Sequence, residues 1–271
     1  MAIPNKYKLF FMALPFLLLT LVFFYFPITG WIYAFYDFTP GIPLSDTPYV
    51  GLKWFRTIAG NPTQTAEVLR VLTNTVAMSL LTLATSIFPV MFAVLLSELK
   101  AGWYRKFVQT LTTIPNFISW ILVYAVAFVM FSVDNGVVNT LLIRLGIIDD
   151  GINFLASNAN VWVAMIAWYW WKSLGWNAIL YLAAITGIDQ EMYEAAEVDG
   201  ANRFRKIWHI TLPGMMPTFF VLLLLSIGNF VNNGIEQYYA FQNAMNKDTI
   251  EVLDLYVYNI AFSNNFPFAT A

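Results

Sequence analysis

The chain has 271 residues, 59% of them hydrophobic and only 11% charged. Soluble domains carry about 25% charged residues, so this composition excludes a single water-soluble globule and points to a polytopic membrane protein. The formal charge of −2 offers no handle for nucleic acid, and the absence of cysteine excludes disulfide frameworks, thiolate metal sites and cysteine nucleophiles.

The N-terminus is short and basic, with Lys6 and Lys8. Residues 9–31 then run without a charge, long enough for the ~20 residues that cross a bilayer core. This run exceeds the apolar core of a signal peptide and lacks a small-residue cleavage site, so it reads as a first membrane helix, with a bend expected at Pro15. Residues 36–67 are polar and rich in Pro and Gly, an irregular loop. Residues 71–97 form a second uncharged run, a basic turn with Lys100, Arg105 and Lys106 follows, and residues 107–133 form a third. The next polar segment has room for one short helix around residues 138–145. Residues 161–188 make a fourth run, interrupted only by Lys172, and residues 210–235 a fifth. The expected fold is therefore an all-α membrane bundle of five spans.

Orientation follows from the basic residues. The segments 1–8, 98–106 and 189–209 carry eight Lys and Arg, against five in the longer segments 32–70, 134–160 and 236–271. The positive-inside rule places the denser set in the cytoplasm, together with the N-terminus.

One cytoplasmic stretch, residues 189–213, separates the fourth and fifth runs. Asp189 is suited to cap a helix start, Glu191 complements the first-turn dipole, and Ala195 and Ala196 leave a low surface that another protein can approach. Gly200 is placed to end that helix in the left-handed conformation. A second short helix is expected from Ala201 to about His209, with Phe204, Ile207 and Trp208 on one side, and Pro213 at the entry to the fifth span. From the residues alone, a docking platform and an ordinary solvated hairpin are both open. His209 has no partner that would make a metal site.

Glu194-Ala195-Ala196, three residues, Gly200, nine residues, then Ile210-Thr211-Leu212-Pro213 match the pattern E-A-A-x3-G-x9-I-x-L-P in full. This stretch resembles the permease subunits of binding-protein-dependent ABC importers. Asn74-Thr75 and the order of runs are similar to the carbohydrate-uptake branch, and residues 234–237 and 254–258 to permeases for oligosaccharides from plant or algal polysaccharides. The resemblance implies a single transmembrane permease domain with residues 189–213 as its coupling loop, and a sixth span beyond Ala271. It implies that Glu194, Ala195, Ala196, Asp199, Gly200 and Ala201 dock on an ATP-binding subunit, with Ile210, Leu212 and Pro213 anchoring the loop. It also implies a second homologous permease, two ATP-binding subunits that hold ATP and Mg, an extracellular solute-binding protein, and location in a bacterial inner membrane. No cofactor is expected on this chain, which lacks the phosphate-binding G-x-x-x-x-G-K-[ST].

A substrate path is expected near the bilayer midplane, on the spans that flank the loop. Tyr169, Ser173 and Trp176 recur on one face of the fourth run, beside Lys172, and Ser226, Asn229, Phe230 and Asn233 repeat the spacing on the fifth. Aromatic rings can stack on the C–H faces of sugars while amides and hydroxyls bond their OH groups. Each of these residues also has an ordinary reading, as an interfacial anchor or interhelical contact. Glu236 and Gln237 are candidates for sugar or binding-protein contact, or plain surface. Rival functions are an ion-coupled secondary transporter, an intramembrane enzyme, and an ABC permease for a non-sugar solute. Lys172 as the lone intramembrane charge argues against the first two, which need buried carboxylates or acid–base pairs.

Overall fold

A computed structural model describes residues 5–158, 160–263 and 265–271. The described residues are helical without a named strand, and they divide into two units, one of residues 1–69 with 256–271 and one of residues 70–255.

In the first unit, α1 (Asn5–Thr20) carries Pro15 inside it. The hydrogen bonding changes later, widening to a π turn at Leu21–Tyr25 and tightening to a 3-10 helix at Phe26–Phe35. Pro27 is the cause in reach: it has no N–H to continue an α ladder. Lys8–Phe35 is long and apolar enough to span a membrane, and its most apolar window has no buried residue. Acyl chains solvate such a surface as well as protein does. The loop that follows is tied by Trp54 Nε1 donating to the Tyr36 carbonyl (3.2 Å), and it carries α2 (Lys53–Gly60). At the other end of the chain, α15 (Phe266–Thr270) lies against the 26–35 segment and α2, with Phe268 edge-on to Trp54.

The second unit is built around α8 (Val161–Thr186), a helix of 26 residues and therefore about 39 Å long. Preceding it are α3 (Pro62–Ala84), α4 (Ile87–Ser97), α5 (Gly102–Thr113), α6 (Trp120–Phe131) and α7 (Val137–Arg144). After it come α9 (Gln190–Val198), α10 (Arg203–Lys206), α11 (Leu212–Gly228), α12 (Ile235–Phe241), α13 (Lys247–Ile250) and the start of α14 (Leu253–Phe262). Helices α4, α5 and α11 all pack on α8. One apolar cluster joins Met78, Val123, Met165, Trp170, Phe241 and Leu255, and a second joins Val90, Ala93, Val94, Ala178, Tyr181 and Met215. Gly175 permits the closest crossing: a Cβ there would lie 2.4 Å from the backbone of Thr112 on α5, so only hydrogen fits.

Three uncharged runs differ in their bounds or continuity from the spans that the sequence predicts. Residues 71–97 belong to a longer helical stretch, Pro62–Ser97, with a break in the α pattern at Thr85–Ser86. Residues 107–133 divide into Gly102–Phe117 and Trp120–Phe131, which meet at 108°. Pro115 lacks a donor there, Ile118 is extended, and Ser119 caps α6 by accepting from the Leu122 N–H (3.4 Å). The fifth run is helical only to Gly228; residues 229–234 are irregular, and Gly234 takes φ +79° before α12 begins. By length and apolarity, the described residues offer three spanning helices, or four when the bent pair counts as one. Helix α8 has the length, but its Trp, Tyr, Asn and Lys lower its hydropathy.

Polar side chains fix the ends of this unit. Arg70 pairs with Asp248 and, at 2.9 Å, with Glu251, whose side chain is 1% exposed. Asn74 Nδ2 donates to the carbonyls of Asp248 (2.9 Å) and Glu251 (3.1 Å), and Thr75 Oγ accepts from the Leu253 N–H (2.8 Å). The Asn74-Thr75 pair therefore sews α3 to the segment 248–253. Gln237 is buried and donates to the Met165 carbonyl (2.7 Å), which makes it a tie between α12 and α8 and not a surface contact.

Candidate functional site

The polar stretch after α8 folds as its local chemistry dictates. Asp189 accepts from the Glu191 N–H (3.0 Å) and starts α9. At the other end, Gly200 has φ +72°, its N–H donates to Glu197 O (3.1 Å), and the Ala201 N–H donates to Ala196 O (2.8 Å). That pair of bonds is the Schellman arrangement, which satisfies carbonyls the helix end would leave open. No residue of α9 is buried, so Glu194, Ala195, Ala196, Asp199 and Gly200 form a free, shallow surface, with Val198 standing 89% exposed at its edge.

The second half of the stretch differs from expectation. The predicted short helix from Ala201 to His209 has no end of its own. Asn202 caps α10 by accepting from the Arg205 N–H (2.9 Å), and the helix runs on through a π turn at Ile207–Thr211 into α11, continuous over Arg203–Gly228. The wide turn accommodates Pro213, which cannot donate to the residue four back and would crowd that carbonyl in a regular helix. Pro213 thus lies within the helix and not at a corner. Ile210 is buried, Leu212 packs on the second apolar cluster, and buried Thr211 is bonded to Tyr193 of α9 (Oγ to OH, 2.9 Å). Lys206 donates to Glu197 (2.6 Å), and this bond, then its charge, holds the Glu197 carboxyl below its usual range. The Glu197 carboxylate is accordingly ionised at neutral pH, and the contact weakens as pH falls through that lowered value. Phe204 and Trp208, assigned to one apolar side, are 79% and 68% exposed, with no core over them.

Between α8 and α11 lies a cavity of 310 Å³. Tyr169, Ser226 and Asn229, three of the expected path residues, line it. Ser226 Oγ and Asn229 Nδ2 each donate to the carbonyl four residues back (2.9 Å), which leaves the Asn229 amide oxygen for another group. The other expected path residues do not line this cavity. Ser173 bonds the Tyr169 carbonyl (2.6 Å), Trp176 meets Phe117 edge-on at 5.6 Å, Phe230 gives its carbonyl to Ser79, and Asn233 bonds Ser79 (2.8 Å) and Asp254 (2.9 Å). Lys172 is 8% exposed and donates to the carbonyls of Asn116 (2.6 Å) and Pro115 (3.3 Å), with its ammonium 5.5 Å from the Trp120 ring centre. It closes the open carbonyl end of the bent helix pair, as a cation at a helix C-terminus does. The cavity lining includes Ser86, Asn177, Tyr181, Phe219 and Asn232, which sequence reasoning missed. Asn177 was a usable signal, since an amide in an apolar run needs a polar surrounding. The lining carries no Lys, Arg, Asp or Glu among the described residues, and no cluster there suits a metal ion.

These features define a class first: a helical membrane protein with an uncharged cavity, lined by polar and apolar side chains, between two helices that a capped, surface-exposed helix joins. Residues 85–271 match the family described as "Binding-protein-dependent transport system inner membrane component", and the chain belongs to this family. It is a transport permease subunit and not an enzyme. Protein LplB of Bacillus subtilis is 39% identical over 273 residues, covering 100% of this chain and 84% of the relative. The polygalacturonan/rhamnogalacturonan transport system permease protein YteP of the same organism is 39% identical over 99% of this chain and 82% of its own. Among solved structures, a bacterial ABC transporter involved in the import of the acidic polysaccharide alginate has a chain that superposes with TM-score 0.85 at 31% identity. The match covers 98% of this chain and 88% of that one. The same transporter in complex with an alginate pentasaccharide-bound periplasmic protein gives the same TM-score.

Proposed function

We propose that this chain passes an oligosaccharide through the cavity between α8 and α11, driven by ATP hydrolysis on separate subunits that dock at α9. The observation that carries this reading is connectivity: α8 and α11, which supply most of the cavity lining, are the two helices that α9 and its Gly200 turn join. In this reading α9 and the N-terminus face the cytoplasm, and two ATPase subunits hold ATP and Mg. A second, similar permease supplies the facing wall of the path, and an extracellular binding protein delivers the sugar. The names of the relatives support a saccharide, and the lining supports recognition through hydroxyl groups. Amides and phenols are neutral partners for OH groups, and Tyr169, Trp170 and Phe219 offer ring faces. Lys172, turned to Pro115 and Asn116, takes no part in that recognition.

The test is reconstitution of the importer with its binding protein, and a panel of oligogalacturonides, alginate oligosaccharides, arabino-oligosaccharides and amino acids. Stimulated ATP hydrolysis and uptake are expected with an oligosaccharide class; stimulation by amino acids alone contradicts the reading. In the responsive case, Asn229→Ala and Asn177→Ala should each slow uptake about three- to tenfold, the effect of one lost hydrogen bond.

A further inference from the structure

Helix α9 is only partly backed by protein. Its rear faces a cavity of 570 Å³ whose lining includes Glu98, Arg105, Tyr193, Glu197, Lys206 and Thr211. A helix backed by space passes force only through its chain ends and through the side chains that bridge the gap. Two of those bridges, Tyr193 to Thr211 and Lys206 to Glu197, return to the helix that directly follows α9. A further contact starts beyond α9, at Arg203, the first residue of α10. Arg203 pairs through Nε with the Glu98 carboxylate, and its Nη2 donates to the Glu98 carbonyl (3.2 Å). Glu98 closes the end of α4, its N–H donating to Val94 O (3.2 Å). Helix α4 in turn contributes Val90, Ala93 and Val94 to the core around α8, and its first turn brings Pro89, next to its cap Ser86, to the 310 Å³ cavity.

We infer that Arg203 and Glu98 are positioning residues that make α4 move with the Arg203–Gly228 helix, which Tyr193–Thr211 and Lys206–Glu197 tie to α9, so that the stroke received at α9 reaches a third wall of the sugar path as well as α8 and α11. This rests on the reading of α9 as the ATPase dock. The two-point grip on side chain and main chain suits the role, because a guanidinium fork fixes direction as well as distance. The pair is partly exposed, at 58% for Arg203 and 25% for Glu98. Such pairs contribute little to folding stability, so its loss should leave a folded, assembled importer.

The cysteine-free chain allows a direct test. Spin labels at Lys100→Cys and Glu191→Cys, in the complete importer with partner subunits cleared of reactive cysteine, report the distance from the α4 end to α9. In the native background this distance should be the same without nucleotide and with ATP trapped by vanadate. In Glu98→Gln or Arg203→Gln it should change with nucleotide, and uptake per ATP hydrolysed should fall about threefold or more. The charge-exchanged double variant Glu98→Arg/Arg203→Glu should restore both readings. A native distance that changes with nucleotide, or single variants that behave as native, overturns the inference. A further label on the ATPase subunit separates the two readings: if it stays remote from Glu191, the docking itself fails; if it is close while α4 moves independently, only the bridge fails.

Discussion

Replacing Gly200 with proline is expected to abolish ATP-driven uptake while the chain still inserts and assembles. Proline fixes φ near −65°, whereas Gly200 sits at +72°, and it removes the N–H that bonds Glu197 O. Both effects unmake the Schellman end of α9, so the surface of Glu194, Ala195 and Ala196 is no longer held at a fixed angle to the Arg203–Gly228 helix. The space around Gly200 is open, with nothing within 4 Å of an added Cβ. Gly200→Ala therefore meets only the backbone cost of a left-handed non-glycine residue, about 1 kcal/mol. It should keep most of the uptake. Membrane fractionation and subunit co-purification, measured beside uptake, separate lost coupling from lost folding.

The largest effect on stability is expected from Arg70→Met. Glu251 is buried to 1% exposure, and Arg70 pairs with it at 2.9 Å. Removing one partner of a buried pair leaves the other charge in a poor solvent, at a cost of about 3–5 kcal/mol. The loss should loosen the 248–253 segment from α3, because Asn74 and Thr75 bind that segment beside the pair. Glu251→Gln removes the charge and keeps the shape, and it should cost less than half as much. The temperature at which the detergent-solubilised complex aggregates, compared across the two variants, checks the order. Equal losses would place the energy in packing and not in charge.

What the sequence made legible was local chemistry. Asp189 and Gly200 each act on backbone groups within five residues, so the ends of α9 were readable from residue type and spacing. The 108° bend was not, because residues 107–133 carry no charge to mark it and Pro115 alone does not tell a kink from a break. The role of Lys172 depends on carbonyls more than fifty residues away, and that of Gln237 on Met165, seventy-two residues away; only the fold supplies such partners. The spacing of Tyr169, Ser173 and Trp176 picked one face of α8, whereas the cavity takes the neighbouring face through Tyr169, Asn177 and Tyr181. A helix of 26 residues packed by α4, α5 and α11 has several buried faces, and hydrophobic pattern does not rank them.

The most direct test of the account asks what touches α9. A photo-reactive amino acid at Val198, 89% exposed beside the Ala195-Ala196 surface, is irradiated in the assembled importer, with the same probe at the exposed Tyr49 of the loop before α2 as control. The account predicts a covalent adduct with the ATP-binding subunit from position 198, strengthened when ATP is trapped, and none with that subunit from position 49. Adducts from position 198 only with lipid or with the extracellular binding protein would contradict it.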